Sequence, residues 1–173
     1  MCILIRKIHS TTYGLSLLNQ PLKCFKVSLK PGKTARESTQ KPAIVFCGGM
    51  DCLSGCSQTM LGQIFNNFFK ETDDSLLVLS AFDCFVFPEI NPDCILLGNS
   101  KLSLSGCDLS TVSRCSKTLH PELYYFYRAL EDIQTRSKVA MFFEMKDCWK
   151  ARAHSLVVRE TNDKQRQVRE LPV

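Results

Sequence analysis

The chain has 173 residues, 45% of them hydrophobic and 23% charged, with a net charge of +5. That fits one domain with appendages, able to fold without a disulfide or metal framework. The charge is too small to argue for nucleic acid, and no run approaches the roughly 20 apolar residues that span a bilayer.

The charge is unevenly placed. Residues 1–41 hold eight Lys/Arg against one acid, residues 42–100 one basic residue against seven acids, and residues 101–173 thirteen basic residues against nine acids. The first acid is Glu37, so residues 1–36 form a basic, hydroxyl-rich segment. This is the composition of a targeting peptide, and a positive segment is drawn to a negative membrane potential. The alternative is an extra surface strand over Leu22–Leu29. Pro31-Gly32 and the polar stretch to Lys41 make a turn and linker, which starts the compact α/β domain, residues 40–160.

Pro42–Cys47 is a short apolar run and reads as a buried strand ended by Gly48-Gly49. From Ser57 to Lys70, Leu61, Ile64, Phe65 and Phe68 fall on one helical stripe. Ser75–Ala81 returns as a second apolar strand, so strand–helix–strand predicts a parallel pair of Ala43–Cys47 with Leu76–Ala81. Short strands are expected at Cys84–Phe87 and Cys94–Leu97. Pro121 opens a second helix with Leu123, Phe126, Leu130 and Ile133 on its buried face. Val139–Met145 and Ser155–Val158 read as further strands, and residues 161–173 as a charged flexible tail. The expected architecture is a small layered α/β domain, two main helices on a mixed, partly parallel sheet.

Ten cysteines occur without a recognisable signal peptide or Asn-x-Ser/Thr acceptor. We therefore expect reduced thiols, mostly small buried hydrophobes, in the cytoplasm or nucleus, with the mitochondrion as the alternative. Cys47, Cys52 and Cys56 are weak metal candidates: there is no Cys-x-x-Cys and no matching second pair. The residues argue against a metal and imply no cofactor. Gly48-Gly49 follows a strand and precedes a helix, but neither phosphate-loop glycine pattern is present.

The order of Gly48-Gly49, helix, strand and Cys94–Ser100 resembles that of the α/β-hydrolases. The resemblance implies Gly48 and Gly49 as the oxyanion loop, Ser100 as nucleophile and His154 as base. The chain departs from that family's Gly-x-Ser-x-Gly motif, with Leu102 in place of the second glycine. No catalytic set being complete, the first functional expectation is an intracellular binding or interaction domain with a protein partner and no catalysis. The alternatives are a serine hydrolase or acyltransferase of α/β-hydrolase type, and a truncated or recently arisen reading frame.

Overall fold

Alternation along β3 (Ala43–Cys47) divides its side chains between two cores. Ala43, Val45 and Cys47 join Leu123, Phe126 and Ile133 of α4 (Pro121–Arg136) on one face. Ile44 packs on the other face with Phe68 of α1 (Cys56–Phe69) and Leu79 of α2 (Asp73–Ala81). A strand buried on both faces is the mark of a sheet sandwiched between helices. The computed structural model describes residues 6–29, 41–50, 56–70, 72–98, 102–146, 155–160 and 168–172.

Around β3 the sheet is built from β1 (Arg6–Leu15), β2 (Pro21–Leu29), β4 (Asp83–Phe87), β5 (Val139–Lys146), β6 (Ser155–Glu160) and β7 (Val168–Pro172). The strand order is β1-β2-β4-β3-β5-β6-β7. Only the centre is parallel: Cys47 lies opposite Phe87 of β4 and Glu144 of β5. The outer strands are antiparallel, with Phe25 of β2 opposite Val86 and Phe143 of β5 opposite Val158. A small layered α/β domain with two main helices on a mixed, partly parallel sheet is thus the observed architecture.

Both main helices sit where their apolar stripes require. Leu123, Phe126 and Ile133 are buried, and Phe126 packs edge-on against Phe87 at 5.0 Å between ring centroids. Full burial of a side chain like Phe126 contributes about 2–3 kcal/mol. On the opposite face, Phe46 stacks on Phe143 at 5.0 Å and meets Phe68 edge-on.

Local expectations change at several points. Ser75–Ala81 is the body of α2, so the strand parallel to β3 is Asp83–Phe87. Thr72 caps α2 through its side chain, and Asp73 and Asp74 occupy the first turn, where negative charge favours helix. Cys94–Leu97 falls on α3 (Pro92–Leu96), started by proline at its first position. Within residues 161–173, Val168–Pro172 pairs with β6. Cys24, Cys47, Cys84, Cys107 and Cys115 are not in disulfides, whereas Cys94 is disulfide-bonded, against the expectation of reduced thiols. Among the described residues, no helix is long and apolar enough to cross a membrane.

Candidate active site

In an open α/β sheet, ligands bind at the carboxyl ends of the parallel strands, where the loops diverge. Here two of those loops are joined to each other. Gly48 N–H donates to Phe87 O at 3.1 Å, Ile90 N–H to Gly48 O at 3.0 Å and Asn91 N–H to Gly49 O at 2.8 Å. Gly49 has φ +69°, and a Cβ there would stand 3.0 Å from Glu89 Cα and 3.1 Å from Gln58 Nε2. The position therefore demands glycine on both conformational and steric grounds.

The β1–β2 turn folds over the same end. Asp93, fully buried, accepts Ser16 Oγ–H at 2.5 Å and Leu18 N–H at 2.9 Å. Glu122, also fully buried in the first turn of α4, accepts Leu17 N–H at 3.1 Å through Oε1. A third acid, Glu144, lies buried near the end of β5.

Four buried polar atoms around this end find no hydrogen-bond partner among the described residues: Tyr13 Oη, Glu89 Oε1, His120 Nδ1 and Glu122 Oε2. Such atoms are costly unless water or a ligand meets them. Burial holds the Glu89 carboxyl above its ordinary range. Burial also raises Glu122, Asp93 adding to the rise while two backbone N–H groups and His120 oppose it. Tyr13 is pushed far up by burial, and then by the nearby Cys24, Cys47, Glu122 and Glu89. Polar groups with perturbed acidity gathered at the strand ends mark this end as the candidate site.

Of the residues singled out from sequence, Gly48 and Gly49 are brought to this end. Cys47 ends β3 but lies in the apolar core facing α4. Cys56 begins α1, while Cys52, Ser100 and His154 lie outside the described residues. Burial pushes the Cys24 and Cys84 thiols up to about 12, which suits buried hydrophobes and not nucleophiles. Tyr13, Glu89, Asp93 and Glu122 carried no motif. The available signal was positional: Asp93 and Glu122 each follow a proline that opens a helix.

The chain matches no protein-family profile. Solved structures do match. A metallo-carboxypeptidase from Burkholderia cenocepacia superimposes with TM-score 0.65 at 14% identity, covering 79% of this chain and 35% of that one. The carboxypeptidase A from Helicoverpa armigera gives 0.56 at 17% identity, covering 79% and 40%. An aspartoacylase family protein from Mesorhizobium loti gives 0.53 at 12% identity, covering 82% and 40%. The chain thus spans about a third to two fifths of these structures.

These likenesses overturn three expectations. The fold is that of metallo-carboxypeptidases, not of an α/β-hydrolase, so the Ser100–His154 serine-hydrolase reading is withdrawn. The expectation of a non-catalytic binding domain is overturned by likeness in fold to carboxypeptidases, and the expectation against a metal by likeness in fold to structures named metallo-carboxypeptidases. Physically, both expectations rested on the absence of local motifs, whereas a strand-end site gathers residues distant in sequence.

A catalytic zinc takes three protein ligands and a water, two His and one Glu in carboxypeptidase A. Among the described residues, no group of three His, Cys, Asp or Glu stands close enough to hold a metal ion. His120 precedes α4, and His9 lies on the outer strand β1, opposite Lys26. The described residues therefore do not complete such a set. What the comparisons show is the fold: along 79% of its length, this chain is built like a metallo-carboxypeptidase.

Proposed function

We propose that this chain is part of a peptide hydrolase of the metallo-carboxypeptidase kind, with its substrate crevice at the carboxyl ends of β3, β4 and β5. The observation that carries this reading is the fold likeness, which covers 79% of this chain. The buried polar groups of Tyr13, Glu89 and Glu122 at that end support it.

The chain's own groups have distinct tasks in this reading. Glu89 is partly exposed and burial holds its carboxyl above the ordinary range, which suits a group that exchanges protons with a substrate. Glu122 and Asp93 keep the β1–β2 turn over the crevice. Gly48 and Gly49 set the floor between β3 and β4. No step is routed through a metal, since the described residues do not complete a ligand set. Cys52, Cys56 and His154 are this chain's candidates for supplying the missing donors, alongside His120.

The test uses the full chain, purified without chelator and dialysed against zinc. One zinc per chain by elemental analysis, together with release of the last residue from N-blocked dipeptides but not from their C-terminal amides, is the expected result. Loss of zinc in His120→Ala or Cys52→Ala would name the donors. A folded chain that retains no zinc and releases no C-terminal residue overturns the proposal.

A further inference from the structure

Away from the crevice, a cleft of about 120 Å³ opens between the β1–β2–β4 face of the sheet and the C-terminal half of α4. Its floor is apolar and aromatic: Phe85 and Phe87 from β4, with Ala129 and Ile133 from α4. Its mouth carries His9, Lys26 and Arg136, against one acid of the lining, Asp132. Lys26 pairs with Asp83 at 2.6 Å and stands 5.3 Å above the Phe85 ring. Arg136 pairs with Asp132 on the exposed helix surface. The Arg136–Asp132 pair is one that solvent already weakens, so an incoming anion can compete for Arg136.

A second feature lies where the cleft meets the strand ends. Tyr13 also lines the cleft, packed edge-on against Phe87 at 5.2 Å, and its buried hydroxyl meets no partner among the described residues. A buried hydroxyl left without a partner costs about 1–3 kcal/mol, which a bound polar atom or water recovers. Apolar walls, a few placed polar groups and a charged rim are the make-up of a small-molecule site. Size limits the occupant: an apolar cavity of about 150 Å³ accepts benzene, and this cleft is somewhat smaller but open at its mouth.

We propose that the cleft binds a small carboxylate with an aromatic or branched aliphatic tail. The carboxylate sits at the mouth among His9, Lys26 and Arg136, and the tail lies on Phe85 and Phe87. The site shares Tyr13 with the strand-end crevice but draws on none of Glu89, Asp93 or Glu122, and its test involves neither zinc nor peptide hydrolysis.

Benzoate, titrated into the full chain and followed by calorimetry and by NMR of the aromatic resonances, is the probe. Benzamide is its neutral isostere. Saturable benzoate binding is expected, at least tenfold tighter than benzamide. Arg136→Gln should weaken benzoate about fivefold and leave benzamide unchanged. Ala129→Leu fills the cleft and should abolish both, while the control Arg128→Gln, on the exposed pair with Glu131, changes neither. Far-ultraviolet circular dichroism confirms that each variant is folded. Equal binding of the two probes, benzoate binding that survives Ala129→Leu, or no saturable binding to the folded chain each overturns the proposal.

Discussion

Ser16 and Asp93, 77 residues apart in sequence, meet in a buried hydrogen bond that fixes the β1–β2 turn to the loop after β4. Leu18 N–H donates to the other oxygen of the same carboxylate, and Gln20 N–H to Ser16 Oγ, so one acid organises the whole turn. Removing it leaves buried donors without an acceptor, which costs more than the bonds themselves. Asp93→Ala should lose about 3–5 kcal/mol, a drop in Tm of roughly 10 °C at about 2–4 °C per kcal/mol. Ser16→Ala should lose only about 1–2 kcal/mol. Thermal unfolding of both variants decides it; equal losses would mean that Asp93 acts through Ser16 alone.

Helix α2 makes a prediction that a strand would not. Along a strand, Leu77 and Leu79 would point to one face. On the helix they diverge: Leu77 is 70% exposed and Leu79 fully buried. Leu77→Ser should therefore change stability by less than about 0.5 kcal/mol, and Leu79→Ala should cost about 2–5 kcal/mol. Denaturant unfolding of the pair gives the answer. Comparable losses would restore the strand.

The contrast shows which signals local sequence carries. Helix α4 was legible because Leu123, Phe126, Leu130 and Ile133 repeat at the helical period. β3 was legible because an unbroken apolar run ends in Gly48-Gly49. α2 was not, since Leu76, Leu77, Val78 and Leu79 are continuous and carry no period; the deciding signal was the Thr72 cap with two acids behind it. The site was less legible still. Asp93 and Glu122 take their roles from backbone N–H groups of Leu18 and Leu17, respectively 75 and 105 residues away, and any side chain at positions 17 and 18 would supply those donors. The serine-hydrolase reading failed for a related reason: strand, glycine pair and helix in that order belong to many α/β folds.

Glu122 ties stability to pH. Its folded carboxyl lies above the ordinary value of 4.5 because burial disfavours the ionised form. Between those two values the folded chain holds a proton that the unfolded chain has released, so stability falls as pH rises through the window. Below it both states are protonated and the effect vanishes. Glu89 acts in the same direction. Glu122→Gln keeps an acceptor for Leu17 N–H and removes the titration. Tm measured from pH 4 to 8 should show the variant gaining on the parent as pH rises, by at most about 1.4 kcal/mol per pH unit. A gap independent of pH would mean that Glu122 ionises in the folded chain as freely as in the unfolded one.

Gly49 joins the fold to the proposed crevice. Its φ of +69° is costly for any residue with a Cβ, about 1–2 kcal/mol. The added atom would also press on Glu89 Cα, backbone that cannot rotate away. Relief requires β3 and the loop after β4 to part, which weakens the bonds from Ile90 N–H to Gly48 O and from Asn91 N–H to Gly49 O. Gly49→Ala should therefore cost more than the conformational term alone, about 2–4 kcal/mol. Gly62→Ala in α1, where a Cβ meets nothing within 4 Å, should instead gain about 0.5–1 kcal/mol. Hydrogen exchange locates the effect. Faster exchange at Ile90 and Asn91, with α4 unchanged, would place the damage at the strand ends, where the proposed hydrolase needs its floor. Uniform acceleration would make Gly49 a requirement of folding alone and leave the crevice to be defined by Glu89 and Glu122.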